Sequence, residues 1–589
     1  MIYRDMENDK LTTIRHSLAH LLAMAVLEID PGAKLGIGPV IENGFYYDIL
    51  STKPLSNGQL PQLENKMRAF MKRNPAFIRE EVSVEDGKKL FASQPFKIEL
   101  INDLVSEKKV TEVSTYKTGA FLDLCQGPHV KTTNEIPLEG FKLTKLAGAY
   151  WRGSEKNQML TRIYGVAFET KKELDEYLKM MEEAERRDHR KLGKDLDLFM
   201  ISDEVGKGLP LWLPNGMFVR RKLEDYMYQK EMAKGYKHVL TPVLAHENLY
   251  KTSGHLAHYK DDMYSPLDIE GEKYYLKPMN CPHHHMIFRH DMVSYRELPL
   301  RLAEFGNVHR FERSGVLTGL IRARGFTQND SHIYCTKAQL KNELLSVLKL
   351  FKEVYKDFQI KDFWYRLSLP DLSNEAKYGD IEDKRMWDES SKIAEDTLKA
   401  FKVKYVKQEG EASFYGPKID IQARNVMGKE DTIATVQLDF YSSKKFDLYY
   451  INEKGEKEHP VIIHRAIMGS FDRFFAFLVE KHAGIFPLWL APVQMRVLPI
   501  AKTHKKYAKE VYKALTAAGI RVELKDSNDT IGKKIREGEM RKIPYLLIVG
   551  DKEVKAKSVA VRKAGKGDLG AMKLKQFIAQ TLEEIAKKK

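Results

Sequence analysis

The sequence predicts a multidomain α+β protein: an antiparallel sheet in its middle part, an α+β domain before it and a small α/β domain after it. Three observations carry this. The chain has 589 residues, more than one hydrophobic core usually supports and enough for three or four domains. Residues 196–490 mix strand-rich segments with helices over a span large enough for an antiparallel sheet that encloses a site. After Pro492 the pattern changes to alternating strands and helices for about 100 residues.

Taken in order, the segment LTTIRHSLAHLLAMAVL predicts a helix closed by Asp30-Pro31-Gly32. His16 and His20 fall one turn apart, on one face. GIGPVIENGFYYDIL carries an Asn43-Gly44 hairpin signal, and DLCQGPH places Cys125 and His129 around a Gly-Pro turn. Residues 1–165 are predicted as one α+β domain. Residues 166–195 predict a charged helical linker, with Leu174, Leu178 and Met181 as a narrow apolar stripe. Residues 196–490 form the middle domain. Residues 491–589 follow as strand MRVLPI, helix HKKYAKEVYKALTAAG, strand IRVELK, helix TIGKKIREGEMRK, strands PYLLIVG and SVAVRK, and a final helix.

Composition is that of an ordinary soluble protein, 43% hydrophobic and 30% charged. No run of about 18 apolar residues offers a membrane span, and MIYRDMENDKLTT lacks the apolar centre of a signal peptide. A cytoplasmic protein without membrane association is expected. Three cysteines, Cys125, Cys281 and Cys335, exclude a disulfide framework. The net charge of +15 favours a polyanionic partner.

Cys281, His332 and His464 are candidate ligands of one zinc ion. They are separated by 51 and 132 residues, far more than the ligand spacing of zinc fingers, so distant elements would assemble the site. Three protein ligands leave a fourth tetrahedral position open for a substrate. Around them lie the cations a nucleotide needs. Arg310 and Glu312 in HRFERSG, Arg322 and Arg324 in RARGF, and Arg473 in GSFDRF supply planar forks suited to phosphate oxygens, and Phe326 supplies a flat face for a base. Cys335 reads as a core residue, and the run His283-His284-His285 as lining or flanking the pocket.

These segments resemble the three signature motifs of class II aminoacyl-tRNA synthetases: motif 1 around GYKHVLTP, motif 2 around HRFERSG and motif 3 around GSFDRF. NCP, RGFTQND, FYGPKID, TVQLDF and IHRAIMGS, in that order, resemble the threonyl-tRNA synthetase family over essentially the whole chain. The resemblance implies an antiparallel catalytic core flanked by an editing domain and an anticodon-binding domain. It implies zinc on Cys281, His332 and His464, and magnesium accompanying ATP. Arg310 would contact the α-phosphate and Arg473 the γ-phosphate, with Glu312 beside them among the catalytic groups. Phe326 and Arg473 would sandwich the adenine, and Arg322 would complete the nucleotide pocket. Gln328, Asp330, Tyr415 and Gln437 would surround threonine, Gln437 also bordering the nucleotide.

The chemistry gives zinc a purpose. An apolar pocket separates threonine from isosteric valine by only about 10²-fold. A zinc ion with an open position binds amino group and hydroxyl together, which valine cannot match. Serine keeps both groups, so a second, hydrolytic site is expected. HSLAH and CQGPH resemble the family's editing domain, with His16, His20, Lys97, Asp123, Cys125 and His129 in its cleft. Read bare, two histidines at i, i+4 with a cysteine and a further histidine suggest a second zinc site. The resemblance implies metal-free hydrolysis of seryl-tRNA instead, which is preferred. In the last domain it implies that Glu553 and Arg562 read anticodon bases.

The chain also departs from the family. Only 15 residues precede His16, where many members carry a further small domain. Thr432, Ala434 and His283 replace glutamine, glycine and glycine beside the expected pocket. The expected protein is a homodimer that charges tRNA(Thr) with threonine from ATP, with no DNA partner. A serine- or proline-charging relative is disfavoured by the zinc trio. A silent RNA-binding paralogue would have lost a motif arginine or a ligand, and none is lost. A deacylase acting only in trans leaves the middle domain unexplained.

Overall fold

The protein is described here by a computed structural model covering residues 10–374, 378 and 384–588. It divides into two compact units, Met1–Glu182 and Glu183–Lys589, the division falling inside the helix Lys171–Arg187. A shorter helix, His189–Asp195, follows, capped by the Asp188 carboxylate, which accepts from the Arg190 amide.

The first unit is organised by the helix Lys10–Ile29. Leu18, Ala19, Leu21, Leu22, Ala23 and Ala25 are inaccessible to solvent, the pattern of a helix buried on most sides. It packs beside a five-stranded antiparallel sheet in the order Lys34–Leu35, Gly44–Leu50, Met159–Ala167, Phe141–Tyr150, with Val40–Ile41 pairing Gly44–Leu50. The Asn43-Gly44 signal does mark this hairpin, but the turn residues are Glu42 and Asn43. Gly44 belongs to the strand, where a Cβ would stand 2.0 Å from the Gly165 carbonyl oxygen. Close backbone approach, not turn geometry, requires the glycine. A second sheet, Phe77–Ser83, Glu112–Thr118 and Phe121–Leu124, carries Asp123 and ends one residue before Cys125.

The second unit is built on an eight-stranded sheet. Six strands run antiparallel in the order Leu300–His309, Gly325–Cys335, Val461–Ser470, Glu430–Asp439, Lys418–Arg424, Phe363–Ser368. Short parallel strands, Lys237–His238 and Tyr405–Gln408, flank them. Register decides everything on this sheet. Leu302, His332, His464 and Gln437 stand in one cross-strand row, and Glu304, Asp330, Ala466 and Thr435 in the next. The alternating residues Ile333, Ile463, Val436 and Leu438 face the other way, into the core with Leu344, Phe351 and Phe471. One face therefore carries chemistry and the other carries packing.

The end of the chain forms a five-stranded sheet in the order Val522–Leu524, Met495–Pro499, Tyr545–Val549, Ser558–Lys563, Gly567–Lys573, the first three parallel. The sequence pattern anticipates the helices Lys505–Ala517, Ile531–Met540 and Leu574–Ala586. It does not anticipate the edge strand Gly567–Lys573, whose glycines and mostly exposed side chains carry no strand signal, nor the short helix Asp551–Ala556. Among the described residues no helix is long and apolar enough to cross a membrane. Replacing Gly44 by alanine is expected to cost about 1–3 kcal/mol, the usual range for overpacking, read as a lower midpoint in urea unfolding. An unchanged midpoint would show that the strand pair can move apart freely.

Candidate active site and metal centre

The middle of the large sheet brings Cys281, His332 and His464 together, their ligand atoms within 4.8 Å of one another. His332 and His464 are cross-strand neighbours with ring centres 4.5 Å apart. Cys281 begins the helix Cys281–Phe288, whose first turn holds Pro282, a residue suited to that position.

The proton positions on both imidazoles follow from their partners. Glu304 accepts from His284 Nε2 at 3.1 Å, so His284 Nδ1 carries a lone pair. His332 Nδ1 then donates to it at 2.8 Å, leaving the lone pair of His332 on Nε2. On the neighbouring strand His464 Nε2 donates to Asp439 at 2.8 Å, leaving the lone pair on Nδ1. Among the described residues, His332 Nε2 and His464 Nδ1 are both buried and find no hydrogen-bond partner apart from the Cys281 thiol beside His464. Buried polar atoms are rarely left so. Two imidazole lone pairs and a thiol, each imidazole backed by a hydrogen-bonded partner, are the donor set and outer shell of a zinc site. Burial opposes a charged His464 ring, yet the neighbouring Cys281 and Asp439 prevail and raise its pKa to about 10, so without a metal a proton lies between Nδ1 and the Cys281 sulfur, and zinc would displace it to reach the lone pair. Burial likewise opposes charge on Glu304. Contacts with His284, Lys277 and the Thr241 amide outweigh it and lower that carboxyl to about 2.

A cavity of about 380 Å³ opens beside this cluster, lined by Arg310, Gln328, Asp330, Tyr415 and Gln437 together with Cys281 and His464. Asp330 is buried, accepting from Asn280 Nδ2 at 3.0 Å and from the Ser331 amide at 2.9 Å. Tyr415 donates to Gln437, and its ring stacks on His464 at 5.1 Å. Arg310 lies 5.3 Å from the Phe326 ring centre. Arg322 Nε pairs with Glu312 at 2.9 Å, and Arg473 Nε donates to the Ile321 carbonyl at 3.1 Å. Burial, with Arg310 and Arg322 close by, lowers the pKa of Arg473. Three guanidinium groups against the carboxylates of Glu312 and Asp431 leave an excess of positive charge, a receptor for an anion.

Residues outside the expected set complete the site. Glu304 and Asp439 gave no local signal, because only strand register brings them to their partners, whereas Asn280 opens the NCP motif and reaches Asp330 from the residue before the helix Cys281–Phe288. His284 belongs to the histidine run and lies directly behind His332. His285 Nδ1 bonds to the Tyr334 hydroxyl at 2.9 Å. His283 is buried, which lowers its pKa to about 4. Ala434 faces the core rather than the cavity. Thr432 accepts from Gln422 at 2.8 Å through its hydroxyl and from Arg473 at 3.4 Å through its carbonyl.

In the first unit, His16, His20, Cys125 and His129 converge with ligand atoms within 4.8 Å. His16 Nδ1 donates to the Pro128 carbonyl at 3.2 Å. Ser17 gives its proton to the Thr13 carbonyl and so accepts from His129 Nδ1 at 3.1 Å. Both Nε2 lone pairs therefore face the Cys125 sulfur, at 3.3 and 3.2 Å. Below them His20 stands 3.6 Å from Asp123, which is paired with Lys97 at 2.5 Å and accepts from Tyr47 at 2.5 Å. Burial pushes the Cys125 thiol up to about 12 and holds the three imidazoles below their ordinary value. At neutral pH the cluster is a protonated thiol between neutral rings. It offers either a general base for water or a ligand set. In the last sheet Glu553 caps its helix by accepting from the Gly550 amide at 2.9 Å, and Arg562 pairs with Glu539 at 3.2 Å on a different element.

An antiparallel sheet carrying an arginine-lined cavity is the architecture of a class II aminoacyl-tRNA synthetase core, and residues 259–482 match the family described as tRNA synthetase class II core domain (G, H, P, S and T). Residues 494–584 match an anticodon binding domain, and residues 113–164 the threonyl and alanyl tRNA synthetase second additional domain. The threonine–tRNA ligase of Anoxybacillus flavithermus is 50% identical over 590 residues, covering 100% of this chain and 90% of that protein. That of Listeria monocytogenes is 48% identical over 98% of this chain and 90% of its own length. The chain belongs to the threonine–tRNA ligase family. Among solved structures, the RNA binding domain of threonyl-tRNA synthetase from Cryptosporidium parvum aligns at TM-score 0.62 and 36% identity, covering 67% of this chain and 98% of that one. A prolyl-tRNA synthetase of the same organism shares the fold at TM-score 0.53 and 18% identity, over 67% of this chain and 74% of its own.

With its pKa at about 12, Cys125 is expected to react with iodoacetamide at pH 8 about 10³-fold more slowly than a free cysteine, because only the thiolate reacts. Mass spectrometry of the Cys125 peptide reads the rate, and an ordinary rate would contradict the buried, protonated thiol.

Proposed function

We propose that this chain is a threonine–tRNA ligase: it joins threonine to ATP as threonyl-adenylate with release of pyrophosphate, then passes the aminoacyl group to the terminal ribose of tRNA(Thr). One observation carries the proposal. In a member of this family, His464 and the Cys281 thiol border the same cavity as Asp330, Gln328, Tyr415, Gln437 and the motif 2 arginine Arg310, and the buried His332 Nε2 lies within ligand distance of both.

In the first step a carboxylate oxygen of threonine attacks the α-phosphorus, and the bond from that phosphorus to the bridging oxygen of pyrophosphate breaks. Arg310 neutralises the α-phosphate and Arg473 the γ-phosphate, from positions fixed before substrate arrives. Arg473 is aimed by the Ile321 and Thr432 carbonyls, Arg322 by Glu312. Phe326 offers a stacking face to the adenine. Asp330, held by Asn280 and the Ser331 amide, accepts from the substrate amino group. Cys281, His332 and His464 would hold zinc, which would supply Lewis-acid coordination for the amino group and hydroxyl of threonine, expanding to five ligands. Gln328, Tyr415 and Gln437 close around the side chain. Magnesium accompanies ATP and shares its charge.

Serine meets the same donors, so discrimination against it falls to the first unit. There the Nε2 lone pairs of His16 and His129 beside Cys125 suit activation of a water against a seryl ester, and Lys97 and Asp123 hold the floor beneath His20. We assign editing to 1–165, the linker to 166–195, catalysis to 196–490 and anticodon reading, by Glu553 and Arg562, to 491–589. The net charge of +15 suits tRNA. Pairing of two copies through motif 1 is supported by the exposure of Leu240, 88% accessible, with Tyr228, Met232 and Val243 exposed near it. The enzyme works in the cytoplasm, where tRNA is charged.

Amino-acid-dependent ATP–pyrophosphate exchange tests the main reaction. Threonine is expected to support it strongly, serine weakly, and valine and proline not at all. Chelation should abolish it and zinc restore it, and Arg310→Ala should lower it about 10²–10³-fold. No exchange with threonine would overturn the proposal. For editing, His129→Ala is expected to slow hydrolysis of seryl-tRNA(Thr) about 10²–10⁴-fold with or without chelator. Loss of hydrolysis on chelation alone would replace the metal-free reading with the second zinc site.

A further inference from the structure

A third cluster of titratable groups, two of them buried, lies outside both sites. Asp188, His189 and Glu480 have ligand-type atoms within 4.8 Å of one another. A metal is not what they hold, since both ring nitrogens of His189 are already engaged. Nδ1 contacts Glu480 at 2.7 Å, and a carboxylate beside it fixes the proton there. Nε2 is then an acceptor, and it takes the Leu320 backbone N–H at 3.1 Å. The ring is 1% exposed. Gly319 permits the approach: its φ is +50°, and a Cβ there would stand 2.3 Å from His189 Nε2.

The peptide held in this way belongs to a tight turn. Thr318 and Arg322 form a bridge, and the Ile321 amide donates to the Thr318 carbonyl at 3.0 Å. From that turn the Ile321 carbonyl accepts from Arg473 Nε at 3.1 Å, and Arg322 reaches Glu312 at 2.9 Å. Glu480 lies on the same helix as Arg473, Phe471–Lys481, two turns further along. One ring therefore joins the helix that carries Arg473 to the turn that aims it. We propose that His189 is a positioning residue for ATP, fixing the Thr318–Arg322 turn through Leu320 so that Arg473 and Arg322 are set for the phosphates. This rests on the reading of those two arginines as ATP ligands.

His189→Leu keeps the volume and loses both hydrogen bonds, whereas His189→Gln keeps an acceptor near Leu320. In ATP–pyrophosphate exchange, His189→Leu is expected to raise the KM for ATP about 10- to 100-fold, the scale of a misplacement near 1 Å, with the KM for threonine unchanged within twofold. His189→Gln should recover most of the loss. Hydrogen exchange of the Leu320 amide should quicken at least tenfold in the leucine variant. Should that variant fail to fold, Gly319→Ala, which drives the ring away without opening the core, is expected to give the same split. Equal rises in both KM values, or wild-type ATP kinetics with the Leu320 amide still protected, would overturn the proposal. Wild-type protein inactive in exchange would overturn the ligase reading alone, because Leu320 protection and calorimetric titration with MgATP still decide the role of His189.

Discussion

The large unit depends on two imidazole–carboxylate hydrogen bonds, donated by His284 to Glu304 and by His464 to Asp439. Each fixes a proton on one ring nitrogen and so decides which nitrogen of His332 and His464 keeps a lone pair. Without these carboxylates the rings could turn over, and the two free nitrogens would no longer converge beside Cys281. Burying such carboxylates is unfavourable by several kcal/mol each unless their oxygens are fully met. Both are met. Glu304 receives the Thr241 amide and hydroxyl, Lys277 and His284, and Asp439 receives the Tyr441 and Ser442 amides as well as His464.

The same physics runs in the small unit with the opposite result. There the fixed tautomers of His16 and His129 aim both lone pairs at a sulfur that burial keeps protonated. In the first case carboxylates behind the rings make them better donors to a cation. In the second, a carbonyl and a serine hydroxyl fix the rings while adding no charge. Similar residue types thus acquire different chemistry from the groups one bond further out.

Much of this architecture was legible in the chain. The three metal-type residues, the arginines of motif 2 and the His16/Cys125 pattern stand out because their chemistry is local to short motifs. The supporting groups do not. Glu304 and Asp439 look like ordinary strand acids until the register across Leu300–His309, Gly325–Cys335, Val461–Ser470 and Glu430–Asp439 is known. His189 sits in a segment read only as a charged connector, and nothing nearby in sequence points to Leu320, 131 residues on. The edge strand Gly567–Lys573 was hidden for another reason, since an exposed, glycine-rich strand has neither alternation nor propensity.

Alternation along Ile463–Ile467, with His464 and Ala466 toward the cavity and Ile463 and Ile467 toward the core, constrains how this gene can change. Single substitutions alter one face at a time. Gain or loss of one codon would instead exchange the faces beyond that point, turning isoleucines to the substrate and a histidine into the core. Length variation among descendants should therefore collect in connections such as the exposed turn at 452–457 and spare the central strands, even where their residues drift.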